Sequence, residues 1–365
     1  MQFICERNIL LKEISLAQEI IASKNVISIL SNIYIEAKGD SLTIKATDMK
    51  VHFETTVPVK VIQPGPATVF GEKFLGILSS VPEGEIEFEY KDNKVKIKTA
   101  VKKVNFNLKS IASDKYPEFP VSNAQYFEIP IKHFKEMIGQ TVFAVSDDET
   151  RFFMNGVYFE KAEGKIITVA TDGRRLAYAE KEENIIDDFS GVIIPPKMLN
   201  IIMKRAGEEG LIALSVTDKI IYVRFGSYNF SSALLEGQFP NYRKVIPEEQ
   251  KCDLLVNRLE MLDALRRVSL LVEQKSQRIF LGIKTGVMEI YSEEGEIGEA
   301  KEEIPCNYEG EELSLALNYR YIEEPFKVIN SEEICIRFTE PSRAITIVPV
   351  PKTDFFHIVM PMQSH

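Results

Sequence analysis

The segment Asp172-Gly173-Arg174-Arg175 combines residue types that can hold a phosphate group. Glycine lets the backbone approach a ligand closely, and each arginine side chain can donate two parallel hydrogen bonds to phosphate oxygens. The same residue types are also typical of a turn between two strands that leaves its arginines exposed. The residues alone leave a phosphate clamp and a strand-connecting turn equally open.

A second candidate is the acidic run Asp147-Asp148-Glu149, whose carboxylates could bind a metal ion or do acid–base chemistry. Three adjacent residues cannot all face one point, so a solvated loop is favoured. The sequence has no P-loop, GxGxxG, GxSxG or HExxH pattern, and no nucleophile has a base that the sequence places beside it. We therefore do not expect an enzyme.

The cysteines and histidines do not follow a metal-binding or redox pattern. The four cysteines, Cys5, Cys252, Cys306 and Cys335, lie far apart without CxxC spacing, and the chain has only four histidines. Structural zinc sites and disulfide frameworks need closely spaced or paired ligands. We expect buried or unreactive thiols, no metal and no cofactor.

The segment around Asp172 belongs to an internal repeat. Ala46-Thr47-Asp48 returns as Ala170-Thr171-Asp172, 124 residues later. Tyr34-Ile35-Glu36 returns at the same displacement as Tyr158-Phe159-Glu160, and three further segments agree within one residue. A weaker echo indicates a third copy. The repeat predicts three domains, with bounds at residues 1–123, 124–249 and 250–365.

Each repeat alternates between helical and strand periodicity. Apolar residues at Leu10, Ile14 and Ala17 follow a helical spacing, and similar stripes predict helices over 9–24, 72–81, 131–145, 196–206, 257–269 and 318–329. Residues 85–98 alternate in period two around Asp92-Asn93, which predicts a hairpin with glutamates facing lysines. The pattern favours an α+β fold in which each domain has two βαβββ halves.

Composition describes an ordinary globular chain. The 365 residues are 45% hydrophobic, with a mean hydropathy of −0.08, and no apolar run approaches the length of a membrane span. Charged residues near the N-terminus argue against a signal peptide, so we expect a cytoplasmic protein without a membrane partner. The net charge of −10 taken alone argues against a nucleic-acid partner.

Three segments carry a resemblance to a known family. The run from Ala170 through Leu176 to Ala177 resembles the signature of the bacterial sliding clamp, the beta subunit of DNA polymerase III. Val359-Met360-Pro361-Met362 is similar to that family's ending, and the segment from Phe239 to Val245 is similar to its second-domain closing segment. The resemblance spans the whole chain.

The resemblance implies the DNA clamp fold in a ring-forming homodimer, with helices lining the hole and sheets outside. Such a ring encircles double-stranded DNA without reading its sequence. It is a non-catalytic processivity factor that tethers the replicative polymerase subunit and other clamp-motif proteins to DNA, and a separate clamp loader opens it. The expected location is the bacterial cytoplasm, with nucleoid association during replication.

The charge distribution is compatible with this reading. The six helical windows carry a formal sum of +5, which leaves −15 on the remainder of the chain. If the helices line the hole, DNA meets a mildly positive wall and slides without being gripped. The resemblance implies phosphate contacts from Lys24, Lys73, Lys197, Lys204 and Arg205. Asp148 stands where relatives can present a polar contact, and its charge repels phosphate.

The resemblance also implies a peptide-binding pocket between the second and third domains. Methionine and leucine side chains offer an adaptable apolar surface that several partners can share. The expected pocket residues are Met154, Thr171, Gly173, Arg174, Arg175, Leu176, Pro240, Lys244, Val245, Asn318, Tyr321, Ile358, Met360, Pro361 and Met362. The chain ends in Gln363-Ser364-His365, where the family commonly has a basic and an apolar residue.

A third implied site is the dimer interface, which joins the first domain of one subunit to the third domain of the other. An apolar centre with an oppositely charged rim suits such a head-to-tail contact. Its expected residues are Lys102, Lys103, Phe106 and Leu108 on one side, with Leu270, Leu271, Glu299, Glu302 and Glu303 on the other.

Two alternatives stay open at this point. One is a repeat-built scaffold that binds proteins or small ligands and never meets DNA, which the acidic charge favours but the charge of the helical windows opposes. The other is an enzyme that uses Asp147-Asp148-Glu149 or the paired arginines Arg174 and Arg175, which the lack of a nucleophile and base opposes.

Overall fold

The computed structural model describes residues 1–21, 28–99, 104–183, 189–295 and 298–363, which form two compact units. Its first elements in chain order are β1 (Gln2–Glu6), α1 (Arg7–Ile20), β2 (Asn32–Lys38), β3 (Ser41–Thr47), β4 (Val51–Pro58), β5 (Lys60–Gln63), β6 (Gly65–Phe70), α2 (Gly71–Ser80), β7 (Glu85–Lys91), β8 (Lys94–Thr99) and β9 (Asn105–Lys109). The next are β10 (Phe127–Pro130), α3 (Ile131–Thr141), β11 (Val157–Ala162), β12 (Lys165–Thr171), β13 (Arg175–Glu182), β14 (Phe189–Ile194), α4 (Pro196–Arg205), β15 (Leu211–Val216), β16 (Ile220–Phe225) and β17 (Tyr228–Ala233). The last are β18 (Cys252–Asn257), α5 (Arg258–Val268), β19 (Arg278–Lys284), β20 (Val287–Tyr291), β21 (Lys301–Pro305), β22 (Leu313–Asn318), α6 (Tyr319–Val328), β23 (Glu333–Phe338), β24 (Ile345–Val350) and β25 (Phe355–Val359).

One unit contains residues 1–131 and 197–234. Its strands form an eight-stranded antiparallel sheet, β10-β15-β16-β17-β4-β3-β2-β6, and a five-stranded antiparallel sheet, β5-β1-β7-β8-β9. Helix α1 packs on β3 and β4 and buries Leu10, Ile14 and Ala17 completely. The apolar stripe predicted from the sequence is confirmed, because these three side chains lie on the face that meets the sheet.

The other unit contains residues 132–196 and 235–365. Its eight-stranded antiparallel sheet has the order β14-β11-β12-β13-β25-β24-β23-β18, and its four-stranded antiparallel sheet has the order β21-β20-β19-β22. Helices α5 and α6 pack against each other. Asn257 and Asn318 precede these helices, and each accepts hydrogen bonds from the first-turn backbone N–H groups, which fixes where the helix begins.

The two eight-stranded sheets follow the same plan. In one unit β4 pairs with β17, and in the other β13 pairs with β25 in the same antiparallel way. Each pairing joins strands that come from successive copies of the sequence repeat, so the middle third of the chain contributes strands to both sheets. The internal repeat is therefore visible as a repeated sheet arrangement.

The predicted hairpin is also confirmed. Strand β7 pairs with β8 so that Glu87 lies opposite Lys98 and Glu89 lies opposite Lys96. Asp92 and Asn93 both have positive φ, of 51° and 58°, as a tight two-residue turn requires. Within the described ranges, no helix is long and apolar enough to cross a membrane.

Candidate functional site

The segment that begins with Thr171 is a turn between β12 and β13. The Asp172 carboxylate accepts hydrogen bonds from the backbone N–H groups of Arg174 (2.8 Å) and Arg175 (3.1 Å), and the Thr171 hydroxyl donates to the Arg175 carbonyl (2.6 Å). Gly173 adopts a φ of +88°, where a side chain is strained. These N–H groups are bound within the chain, so the turn interpretation is confirmed and they are not available to a phosphate.

The same turn occurs at the first copy of the repeat. The Asp48 carboxylate accepts from the N–H groups of Lys50 (2.9 Å) and Val51 (2.7 Å), and the Thr47 hydroxyl donates to the Val51 carbonyl (2.9 Å). Met49 stands in the position of Gly173, with a φ of +73°. The repeated Ala-Thr-Asp pattern is thus the sequence signature of one turn used twice.

The buried guanidinium of Arg175 lies behind the second turn. It donates to the Asp172 carboxylate (3.1 Å), to the carbonyl of Phe143 (2.7 Å) and to the Glu324 carboxylate. The ring of Tyr321 lies 4.6 Å from the guanidinium carbon. A buried charge with this many partners is held in one orientation, so Arg175 ties β13 to α6.

An apolar cavity of about 330 Å³ lies beside this turn. The methionine side chain of Met360 and the valine side chain of Val245 are 47% and 56% exposed at this site, so they add accessible apolar surface to the cavity. Residues that line it and were expected from the sequence are Met154, Thr171, Gly173, Arg174, Arg175, Leu176, Pro240, Val245, Ile358 and Met360.

The remaining expected pocket residues lie outside the cavity lining. Tyr321 stacks on Arg175, Asn318 caps α6, and the backbone N–H of Met362 donates to the Ala316 carbonyl (2.8 Å). Lys244 is exposed and Pro361 is half-buried. The lining also includes Asn241 and Tyr242, which sequence reasoning missed although both belong to the Phe239–Val245 segment that it singled out.

The expected DNA-binding lysines and arginine of the first unit have partners within the chain. Lys73 pairs with Glu72, and Lys204 and Arg205 both pair with Glu19. Lys197 differs, because its ammonium group is held in a half-buried site by Asp48. Lys24 lies outside the described residues.

The expected interface residues occupy strand edges and an exposed turn. Phe106 and Leu108 lie on β9, which is an edge of the five-stranded sheet, and Glu302 and Glu303 lie on β21, an edge of the four-stranded sheet. Leu270 is 79% exposed, whereas Leu271 is half-buried and Glu299 is exposed. Glu302 accepts two hydrogen bonds from Arg267 of the same chain (2.7 and 2.5 Å). Lys102 and Lys103 lie outside the described residues.

The acidic run Asp147-Asp148-Glu149 forms the start of a short 3₁₀-helix rather than a ligand cluster. The Asp148 carboxylate accepts from the Thr150 hydroxyl (2.6 Å) and from Arg151 (2.8 Å). The Thr150 donors and Arg151 lower the pKa of this carboxyl. Among the described residues, no group of three or more histidine, cysteine and acidic side chains is placed to hold a metal ion.

Three family models match consecutive parts of the chain. They describe the N-terminal domain of the DNA polymerase III beta subunit over residues 1–120, its central domain over 128–241 and its C-terminal domain over 243–363. Together they account for almost the whole sequence.

Relatives of full length agree with these matches. The beta sliding clamp of Treponema pallidum is 47% identical over 370 residues, and that of Halalkalibacterium halodurans is 32% identical over 382 residues. Both alignments cover 100% of this chain and 100% of the relative.

Solved structures show the same fold. The DNA polymerase sliding clamp of Bacillus subtilis superposes with a TM-score of 0.94 at 28% identity, and a DnaN sliding clamp of Pseudomonas aeruginosa does so with 0.94 at 25% identity. Each comparison covers 100% of both chains.

These matches decide among the three functional hypotheses. A scaffold that never meets DNA and an enzyme are both set aside, since relatives that match along the whole chain are beta sliding clamps. The three-domain clamp fold follows from the matched domains. The chain belongs to the DNA polymerase III beta subunit family, the beta sliding clamps of bacteria, and is a non-catalytic processivity factor for DNA polymerase.

Proposed function

We propose that two copies of this chain close into a ring that encircles duplex DNA and tethers the replicative polymerase and other clamp-motif proteins to it. Each copy contributes domains 1–123, 124–249 and 250–365, with helices lining the hole and sheets forming the outer wall. A separate clamp loader opens the ring. The ring works in the bacterial cytoplasm, at the nucleoid during replication.

The exposed strand edges support ring closure. An edge strand presents backbone groups that can pair with another chain, and β9 and β21 are both edges of their sheets. We place β9 of one protomer against the region of β21 and Leu270 in its partner. The expected lysines Lys102 and Lys103 and the exposed Glu299 and Glu303 supply opposite charges for the rim.

Exposed basic residues support weak contact with DNA phosphates. Lys73 and Lys204 are exposed, and each is paired with a glutamate in solvent, where an ion pair contributes little. A phosphate oxygen can therefore replace the glutamate at little cost. We assign this role to Lys24, Lys73, Lys204 and Arg205, and we assign Lys197 the task of holding α4 in place.

The peptide pocket is supported by one observation above all: apolar side chains surround a cavity while Met360 and Val245 stay exposed beside it. Hydrogen bonds hold Arg175 in one orientation, so it gives the cavity lining a fixed polar group that can orient an extended peptide. We propose that short segments of the polymerase, the clamp loader and other DNA enzymes bind here in turn. We also assign to the peptide site the five expected residues that lie outside the cavity lining: Lys244, Asn318, Tyr321, Pro361 and Met362.

We propose that griselimycin binds in this cavity, and we use it as the probe for the pocket. Sliding clamps of Pseudomonas aeruginosa and Bartonella birtlesii have been solved bound to this compound. In a titration with griselimycin, we expect Met360→Ala to weaken binding roughly tenfold, because it removes apolar contact area from the cavity lining. Met49→Ala is the control, because Met49 is 53% exposed in the other copy of the turn. Equal affinity for all three proteins would count against the pocket.

A further inference from the structure

One wall of the pocket is an irregular segment. Pro240, Asn241, Tyr242 and Val245 line the cavity, and their segment contains only a short 3₁₀-helix, Tyr242–Val245. Within the part of the chain that the structure describes, no backbone hydrogen bond ties residues 239–245 to a strand. The position of this wall therefore depends on side chains.

The carboxylate of Glu160 supplies the polar part of that attachment. This buried residue of β11 accepts hydrogen bonds from the Tyr242 hydroxyl (2.5 Å) and from Arg243 (2.6 Å) through one oxygen, and from the Tyr158 hydroxyl (3.2 Å) through the other. Burial and the carboxylate of Glu160 raise the pKa of Tyr242, so its hydroxyl keeps the proton that it donates. Charge-assisted hydrogen bonds of this kind are short, directional and strong.

Aromatic rings supply the apolar part. Phe239 stacks on Tyr158 with ring centroids 4.7 Å apart and planes 15° apart. The ring of Tyr242 lies 6.0 Å from Tyr158 and 5.9 Å from Tyr178. Stacked rings hold the 239–245 segment against the sheet, but they allow the segment to shift along the sheet surface. The Glu160 carboxylate fixes the segment at one position on that surface.

The internal repeat contains a natural comparison. Glu36 occupies the place of Glu160 in the first copy, and the Tyr34 hydroxyl donates to it (3.3 Å) as Tyr158 does to Glu160. Phe119 and Pro120 stand where Tyr242 and Arg243 stand in the second copy, and neither side chain can donate. The same carboxylate is thus present twice, but only Glu160 has donors on the following segment.

We propose that Glu160 is the positioning residue of the pocket: it fixes the 239–245 wall so that the cavity is formed before a partner peptide arrives. A preformed site spares the cost of ordering a loop on binding. This inference rests on the pocket proposed above. Glu160 does not itself line the cavity, so it acts through Tyr242 and Arg243.

Two measurements on Glu160→Gln test the proposal, with Glu36→Gln as the matched control. The first is trypsin cleavage after Arg243 and Lys244, both exposed, which reports whether the wall is held without any ligand. The second is griselimycin affinity. We expect Glu160→Gln to accelerate cleavage at these two sites and to weaken griselimycin roughly tenfold, since hydrogen bonds to a charged group are lost. Glu36→Gln should change neither.

The outcomes separate the two proposals. If wild-type protein fails to bind griselimycin, the assignment of this probe to the proposed pocket is overturned, but the cleavage rates still test whether Glu160 holds the wall. If wild-type protein binds and Glu160→Gln matches it in both cleavage and affinity, the positioning role is overturned. Should Glu160→Gln fail to fold, Tyr242→Phe removes one donor and must show the same two changes at smaller size. Where Glu160→Gln does fold, the Glu160→Gln/Tyr242→Phe double variant must show effects that are less than additive, because both changes break one interaction.

Discussion

The ammonium group of Lys197 lies 2.6 Å from the Asp48 carboxylate and 2.7 Å from the carbonyl oxygen of Ile20. Lys197 is in the first turn of α4, Asp48 builds the turn between β3 and β4, and Ile20 ends α1. Burial works against the charge of Asp48, but Lys197 and the N–H groups of Val51 and Lys50 outweigh it and lower the pKa of the carboxyl. One side chain therefore joins three elements that are distant in the sequence.

Replacing this lysine should destabilise the unit. Lys197→Met leaves a charged carboxylate in a site that is mostly buried, and we expect the free energy of unfolding to fall by about 2 kcal/mol at neutral pH. Because the folded-state pKa of Asp48 is lowered, its contribution is present above the ordinary value of 3.8 and is lost as pH falls through the folded-state pKa. Urea denaturation of Lys197→Met and of the control Lys204→Met checks this. An equal effect of both variants would contradict the structural role of Lys197.

Both copies of the turn should favour glycine at the residue after the aspartate, because both have positive φ there. Met49 has a φ of +73°, so Met49→Gly should relieve backbone strain and stabilise the protein by about 1 kcal/mol. Gly173 has a φ of +88°, and a Cβ there would lie 3.1 Å from a guanidinium nitrogen of Arg151, so Gly173→Ala should destabilise by a similar amount. Calorimetric melting of both variants tests the equivalence. A change of the same sign in both would show that the turns are not equivalent.

Buried His357 predicts acid sensitivity. Burial and the positive charge of Arg175 lower the pKa of His357 from 6.5 to about 3. Between these values the unfolded chain binds a proton that the folded chain does not, so stability falls as pH decreases. From pH 7.5 to pH 5 the loss from this residue should be about 2 kcal/mol. Urea unfolding of wild-type and His357→Leu protein at both pH values isolates the stability loss that is due to His357. If the variant has the same pH dependence as wild-type protein, His357 is not the source of the loss.

Leu270 provides a test of the proposed interface. It is 79% exposed, and a charge placed there costs the single chain little, but it would be buried if a second copy packs on it. We expect Leu270→Glu to shift the protein from dimer to monomer in sedimentation velocity. Val121→Glu, at a residue that is 75% exposed, is the control and should remain dimeric. If Leu270→Glu sediments like wild-type protein, this residue is not in the interface.

Local patterns were sufficient to predict much of the fold. The helical stripe of α1 and the hairpin of β7 and β8 depend on neighbouring residues, and their periodicity is visible in the sequence. The repeated Ala-Thr-Asp pattern was visible for the same reason, because the hydrogen bonds that the Thr and Asp side chains make within the turn span at most four residues. Ten of the residues that line the cavity were expected through resemblance, and all of them except Met154 lie in or directly beside three short segments.

Long-range partners could not be predicted in this way. Lys197 was expected to contact phosphate, and local patterns do not show its carboxylate partner, which is 149 residues away in the chain. The three hydrogen-bond donors of Glu160 include Tyr242, which is 82 residues away. A match of displacement shows that Glu36 and Glu160 are equivalent, but it does not show that Glu160 accepts hydrogen bonds from the 239–245 segment. Such pairs depend on how the sheets fold together.

Retention on circular DNA tests the central claim most directly. A clamp loader first loads the purified protein onto a nicked plasmid. Gel filtration then separates the protein–plasmid complex from free protein, at a salt concentration that releases simple phosphate contacts. Finally, an enzyme linearises the plasmid. If the chain forms a closed ring, it stays with the circle at high salt and leaves after linearisation, since topology rather than contact holds it. Protein that is released from the circle by salt alone, or that stays equally well on linear DNA, would contradict the account.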